Sequence, residues 1–164
     1  MVESRVTLRN ATPEDREFLA SLYSDTRQQE VAAWGWPQAQ QDMFLRMQFD
    51  AQYRSYRAGF PDATDRIVCL DDVAVGRMLV SRETAGMHLI DIALLEAYKN
   101  QGVGTGLLRR LLQECETENT PVRLQVLQGN RAIRLYRRLG FIETSADPMY
   151  VQMEWTPRRS QEGF

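Results

Sequence analysis

Three glycines at alternate positions, Gly102, Gly104 and Gly106, stand between an apolar run and an amphipathic one, and this junction constrains the fold more than any other stretch. The upstream run, His88-Leu89-Ile90-Asp91-Ile92-Ala93-Leu94-Leu95, is short and partly β-branched, which predicts a strand. Downstream, Leu107, Leu108, Leu111, Leu112 and Cys115 recur with a helical period of about 3.6 residues. The order is therefore strand, glycine loop, helix. Backbone N–H groups emerge without intrahelical partners at such a helix start, and the positive end of the helix dipole points the same way. Glycines there remove the side chains that would keep an anion away, so a phosphate-bearing ligand is the expected occupant.

Other uses of a glycine loop have to be weighed. A Walker phosphate loop ends in Gly-Lys-Ser/Thr, whereas Leu107 follows Gly106 here. The dinucleotide fingerprint places its third glycine three positions after the second, where this chain again has Leu107. The remaining alternative is packing alone, the glycines letting helix and strand approach closely.

At 164 residues the chain is expected to form one domain, spanning residues 1–156, with a loose polar tail at 157–164. Its net charge of -2 and lack of long single-sign runs give no sign of a nucleic-acid or membrane-surface binder. No apolar segment approaches the ~20 residues that span a bilayer, and no signal-peptide core follows Met1-Val2-Glu3-Ser4-Arg5, so a cytoplasmic location is expected. Cys69 and Cys115 lack metal-ligand spacing and are expected as buried reduced thiols. His88 is the sole histidine, which disfavours a zinc site or a Ser-His-Asp triad, and no metal is expected.

Along the chain, Arg5–Arg9 alternates as a first strand, and Thr12-Pro13-Glu14-Asp15 supplies the signals of a helix start. The helical pattern carried by Phe18, Leu19, Leu22 and Tyr23 weakens after Ser24–Arg27, and Trp34-Gly35-Trp36-Pro37 reads as a loop or broken helix. A long helix is predicted from Gln38 to Ala58. Its apolar residues Met43, Phe44, Leu45, Met47, Phe49, Tyr53 and Tyr56 do not share one stripe, so some face something other than the core. With Trp34 and Trp36 they could wall an acceptor pocket or form a dimer interface. Arg66–Leu70, Val73–Val80 and His88–Leu95 then form an antiparallel meander, and the helix after the glycine loop returns the chain to a parallel strand at Val122–Val126. Asn130 caps a helix with Ala132, Ile133, Leu135, Tyr136 and Leu139 inside, Gly140 ends it, and strands near Phe141 and Met149–Trp155 close the fold.

Taken together, Ile92-Ala93-Leu94, Lys99-Asn100-Gln101-Gly102-Val103-Gly104-Thr105, Leu124-Gln125-Val126 and Asn130-Arg131-Ala132-Ile133-Arg134-Leu135-Tyr136-Arg137-Arg138-Leu139-Gly140-Phe141 resemble the GNAT superfamily of acetyl-CoA-dependent N-acetyltransferases. The resemblance covers nearly the whole chain. It implies an α/β fold with a mixed, mostly antiparallel sheet of about seven strands flanked by helices, and splayed parallel strands at the cofactor site.

The resemblance also implies roles. Lys99–Thr105 would hold the pyrophosphate of coenzyme A, with Lys99 where the family usually has Arg or Gln, a change that keeps the charge and loses the planar fork. Ile92, Ala93 and Leu94 would pair with the pantetheine arm, and an N–H near Leu94 would polarise the thioester carbonyl. Asn130 would contact the pantetheine, and Tyr136 would protonate the departing thiolate. The family's glutamate five residues before the asparagine is replaced by Gln125, which cannot act as a base. His88 falls near another family glutamate position and is the candidate base, ahead of Asp91 and Glu30. The implied activity is transfer of acetyl from acetyl-CoA to a primary amine of a small molecule or peptide, without metal. The alternative is an acyl-CoA-binding sensor or scaffold without turnover.

Overall fold

The computed structural model describes residues 5–158. Seven strands, β1 (Val6–Asn10), β2 (Thr64–Leu70), β3 (Val73–Glu83), β4 (Gly86–Leu94), β5 (Val122–Leu127), β6 (Ile142–Ala146) and β7 (Tyr150–Trp155), hydrogen-bond in the order β1-β2-β3-β4-β5-β7-β6. The α-helices among the described residues are α1 (Arg16–Ala32), α2 (Gln38–Gly59), α3 (Val103–Thr117) and α4 (Ala132–Arg138). This is the mixed α/β sheet that the resemblance implied, with β4 and β5 as its parallel pair.

The chain forms two compact units that interleave in sequence. The first runs to Leu79 and includes Ile92–Val103; the second takes Val80–Asp91 and the chain from Gly104 onward. In the first unit, Leu19, Ala20 and Leu22 of α1, Phe49 of α2, and Ile67 and Cys69 of β2 form one buried cluster, against which Ala93 and Leu95 pack. The start of α1 is fixed by Asp15. It accepts both terminal nitrogens of Arg9, at 2.9 and 2.8 Å, and the Thr12 amide at 2.8 Å. These charge-assisted bonds pull the Asp15 carboxyl down to about 2 despite the opposing cost of burial.

Two sequence expectations need correction here. Helix α1 does not weaken at Ser24–Arg27 but runs unbroken to Ala32, because nothing between Glu14 and Ala33 breaks a helix and Val31 gains a buried site. The helix after the glycine loop begins at Val103, so Gly104 and Thr105 belong to its first turn and only residues 99–102 remain as loop. For the tail expected at 157–164, Pro157 is buried and the Arg158 amide donates to Glu116 of α3; residues 159–164 lie outside the described residues.

The β2–β3 hairpin turns on Asp71 and Asp72, both with positive φ (50° and 65°), a conformation that short polar side chains tolerate and that matches the twist of the two strands. In the second unit, β5 alternates strictly, with Val122, Leu124 and Val126 inward. Leu107, Leu108, Leu111 and Cys115 of α3 are buried as well, and burial pushes the Cys115 thiol up to about 11. It is inert as a nucleophile near neutrality.

Gly76 of β3 is a point of close approach. A Cβ added there would meet the Ala93 carbonyl oxygen and lie 2.7 Å from Leu94 Cδ2. Backbone cannot yield as a flexible side chain does, so Gly76→Ala should cost about 2–3 kcal/mol. Urea denaturation should show a lower midpoint with an unchanged slope.

Candidate functional site

The end of β4 is anchored before the glycine loop begins. The Leu95 amide donates to the Val75 carbonyl at 2.8 Å, and a 3-10 turn at Glu96–Tyr98 follows. Lys99 closes this turn, with its ammonium 2.9 Å from Glu96 three residues back. Asn100 and Gly102 take positive φ values of 61° and 85°, and Gln101 donates from its side chain to the Ala97 carbonyl at 3.0 Å. Nothing lies within 4 Å of where a Gly102 side chain would stand, so the backbone here faces open space. Val103, 1% exposed, pins the first residue of α3 in the core. Next come Gly104 and Thr105, both half-buried. A helix start leaves its first amides without intrahelical partners, and these, with the open space beside Gly102, suit an anion.

The parallel pairing of β4 with β5 has the register Met87–Val122, His88–Arg123 and Leu89–Leu124. Strand β5 pairs along its whole length with β7, from Val122–Trp155 to Leu127–Tyr150. Of the expected pantetheine partners, Ile92 and Ala93 are half-buried in the second half of β4 and Leu94 is buried.

Tyr136 is the buried residue of α4, 7% exposed, with its ring edge-on to Phe141 at 5.6 Å between centroids. Burial, and then the negative charge of Asp91, push its phenol up to about 12. It therefore holds its proton throughout the neutral range and is available to donate it. Asn130 lies just before α4, and its side-chain oxygen accepts the Ala132 amide at 2.8 Å, the capping role read from the sequence.

His88 has partners that sequence spacing could not show. Its Nδ1 lies 3.2 Å from Glu83, and Glu83 is also held by Arg123, the residue opposite His88 in the parallel register. The Arg123 guanidinium, and then His88, keep the Glu83 carboxyl below the usual range in spite of its partial burial. An ionised carboxylate only accepts. In the neutral imidazole the proton therefore sits on Nδ1, and Nε2 carries the lone pair. Gln125, in place of a glutamate, accepts from Gln152 at 2.6 Å. Trp34, Trp36 and Phe44 form an aromatic triad with centroids 5.1–5.6 Å apart, both tryptophans remaining exposed, and Met43 and Met47 lie exposed on α2.

This strand–loop–helix arrangement, with Asn130 and Tyr136 downstream, can now be set against known proteins. The sequence model of the acetyltransferase (GNAT) family matches residues 18–141. The chain belongs to the GNAT acetyltransferase family. A curated relative, the GCN5-like protein acetyltransferase Rv2170 of Mycobacterium tuberculosis, is 31% identical over 118 residues, which make up 68% of this chain and 47% of that protein. The chain thus spans about half the length of that relative. Among solved GNAT-type structures, PaiA N-acetyltransferase of Thermoplasma acidophilum in complex with coenzyme A superposes with a TM-score of 0.69 at 16% identity, covering 92% of this chain and 98% of that one. The ribosomal-protein-S18-alanine N-acetyltransferase of Escherichia coli gives 0.60 at 17% identity, covering 92% and 93%. At these identities the likeness is one of fold.

The position of Tyr136 makes an alkaline prediction. Its phenol titrates at about 12 when folded and near 10.0 when unfolded. Between these values the unfolded chain binds fewer protons, so stability is fully present below about pH 10 and falls as pH rises toward about 12, by up to about 3 kcal/mol. Tyr136→Phe should flatten that segment of the stability–pH curve.

Proposed function

We propose that this protein is an N-acetyltransferase that transfers acetyl directly from acetyl-CoA to a primary amine within a ternary complex. The observation that carries this is the conjunction of an anion-suited helix start at Lys99–Thr105 with a tyrosine held protonated at about 12. Acetyl-CoA supplies the acyl thioester, the amine nitrogen forms the new bond to its carbonyl carbon, and coenzyme A leaves as the thiol. Its pyrophosphate suits the first-turn amides of α3, and Lys99 adds one positive charge. Its pantetheine arm would pair with the backbone of Ile92–Leu94 as a strand would. An amide near Leu94 is the candidate donor to the acyl oxygen.

The chain's own groups then divide the proton work. Tyr136 gives a proton to the leaving sulfur, which a neutral phenol can do and a phenolate cannot. His88 takes the amine proton through Nε2, while Glu83 holds its tautomer. Asn130 adds a contact to the pantetheine amides beyond its capping bond. The acceptor is a small-molecule or peptide amine with an apolar part, for which the Trp34–Trp36–Phe44 triad offers a wall. That same exposed face is the candidate homodimer surface.

One observation favours a second reading, a coenzyme A-binding sensor or scaffold. The family glutamate position holds Gln125, and this side chain is already engaged by Gln152.

A free-thiol assay with acetyl-CoA and a panel of amines separates the two. Amine-dependent thiol release is expected. Coenzyme A binding without release from any amine would favour the sensor. Tyr136→Phe should lower kcat at least about tenfold with acetyl-CoA affinity unchanged within about twofold, the signature of an interaction made only in the transition state. Equal turnover would remove Tyr136 from the mechanism. Gly104→Leu should weaken coenzyme A binding by calorimetry about tenfold or more, since a side chain would stand over the first-turn amides. His88→Gln should lower kcat/KM about tenfold or more with acetyl-CoA affinity unchanged within about twofold.

A further inference from the structure

Asp25 lies in the middle of α1, seventy-one positions before the turn that leads into the glycine loop, yet its Oδ2 accepts the backbone amide of Glu96 at 2.6 Å. Both residues belong to the first compact unit. Glu96 is the first residue of the 3-10 turn Glu96–Tyr98, and the first amides of such a turn have no partner within it. Of the neighbouring amides, Leu95 donates to Val75 of β3, and Tyr98 and Lys99 donate back within the turn, to Leu95 and Glu96. The Glu96 amide is the one whose partner comes from a separate helix. A carboxylate oxygen accepting a backbone N–H is among the stronger hydrogen bonds available, and α1 is a rigid support for it. The short distance fits that description.

The consequences run forward along the chain. Glu96 also holds the Lys99 ammonium at 2.9 Å, so whatever fixes the Glu96 backbone fixes the base from which Lys99 is presented. Three residues later Gly102 turns the chain with φ 85° into the first turn of α3, the turn assigned above to the coenzyme A pyrophosphate. We propose that Asp25 is a positioning residue for the anion-binding loop, its carboxylate holding the Glu96–Tyr98 turn so that Lys99, Gly102 and the first amides of α3 are presented in ligand-ready geometry. The proposal rests on the coenzyme A assignment given above. It also gives the enzyme a mechanical tie between α1, which leads into the Trp34–Trp36 turn, and the cofactor loop. That tie draws on no residue that touches substrate.

The test uses the full chain with Asp25→Ala and Asp25→Asn. Alanine is the better helix former, so α1 is retained, as far-ultraviolet circular dichroism would verify. Asparagine keeps a side-chain oxygen in the same place and should rescue. By calorimetry, the dissociation constant for coenzyme A should rise about fivefold to tenfold in Asp25→Ala and stay within about twofold in Asp25→Asn. In the acetyl-CoA thiol assay, KM should rise with kcat nearly unchanged. Without ligand, amide hydrogen exchange across residues 95–101 should quicken in Asp25→Ala only. If wild type binds coenzyme A and both variants bind it equally well, the proposal is overturned even should Asp25→Ala lower the thermal midpoint, since a merely structural role would do that. If wild type itself binds no coenzyme A, the cofactor assignment fails first and Asp25's role toward it falls with it.

Discussion

Strand β4 is held by two different partners along its nine residues, and the arrangement of the rest follows from that division. Its first residues pair in parallel with β5 through Leu89–Leu124. At its other end the chain is tied to β3, where the Leu95 amide reaches the Val75 carbonyl and the missing side chain of Gly76 lets the Ala93 carbonyl come close. On its other side each β5 residue has a β7 partner, which satisfies the backbone groups that face that strand. A parallel strand pair that is short by design offers backbone groups to an extended ligand, as sheet edges do to peptides.

Proton-carrying groups around this strand are tuned in opposite directions. Arg123 and His88 keep Glu83 ionised, whereas burial and Asp91 keep Tyr136 neutral. The two devices differ in kind. Glu83 is governed by a partner charge and depends on one arginine, while Tyr136 is governed chiefly by dehydration and depends on the packing around α4, including Phe141.

What the sequence revealed and what it concealed divide along the same physical line. Strands, the Trp34–Pro37 turn, the long α2 helix and the helix bearing Tyr136 were readable because their signals are local: alternation, glycine and proline placement, and capping. The continuation of α1 past Arg27 was not, since its apolar pattern thins there and only the burial of Val31 sustains it. The partners of His88 were equally invisible. Glu83 is five residues away and Arg123 is thirty-five, and nothing in their spacing marks them as neighbours until parallel pairing sets His88 opposite Arg123. Asp25 is the extreme case. As one polar residue in a helix it carries no local signal, and its meaning comes entirely from a turn far along the chain.

The glycines that first drew notice turn out to do different jobs. Only Gly102 has the positive φ that a side chain would resist. Gly104 and Gly106 lie within α3, where each costs the helix about 1 kcal/mol relative to alanine. Gly106 is buried, so close packing is a sufficient reason for it. Gly104 is half-buried in the first turn. Under the proposed coenzyme A assignment, Gly104 answers to a ligand approaching the first-turn amides, and Gly102 to the turn that precedes them.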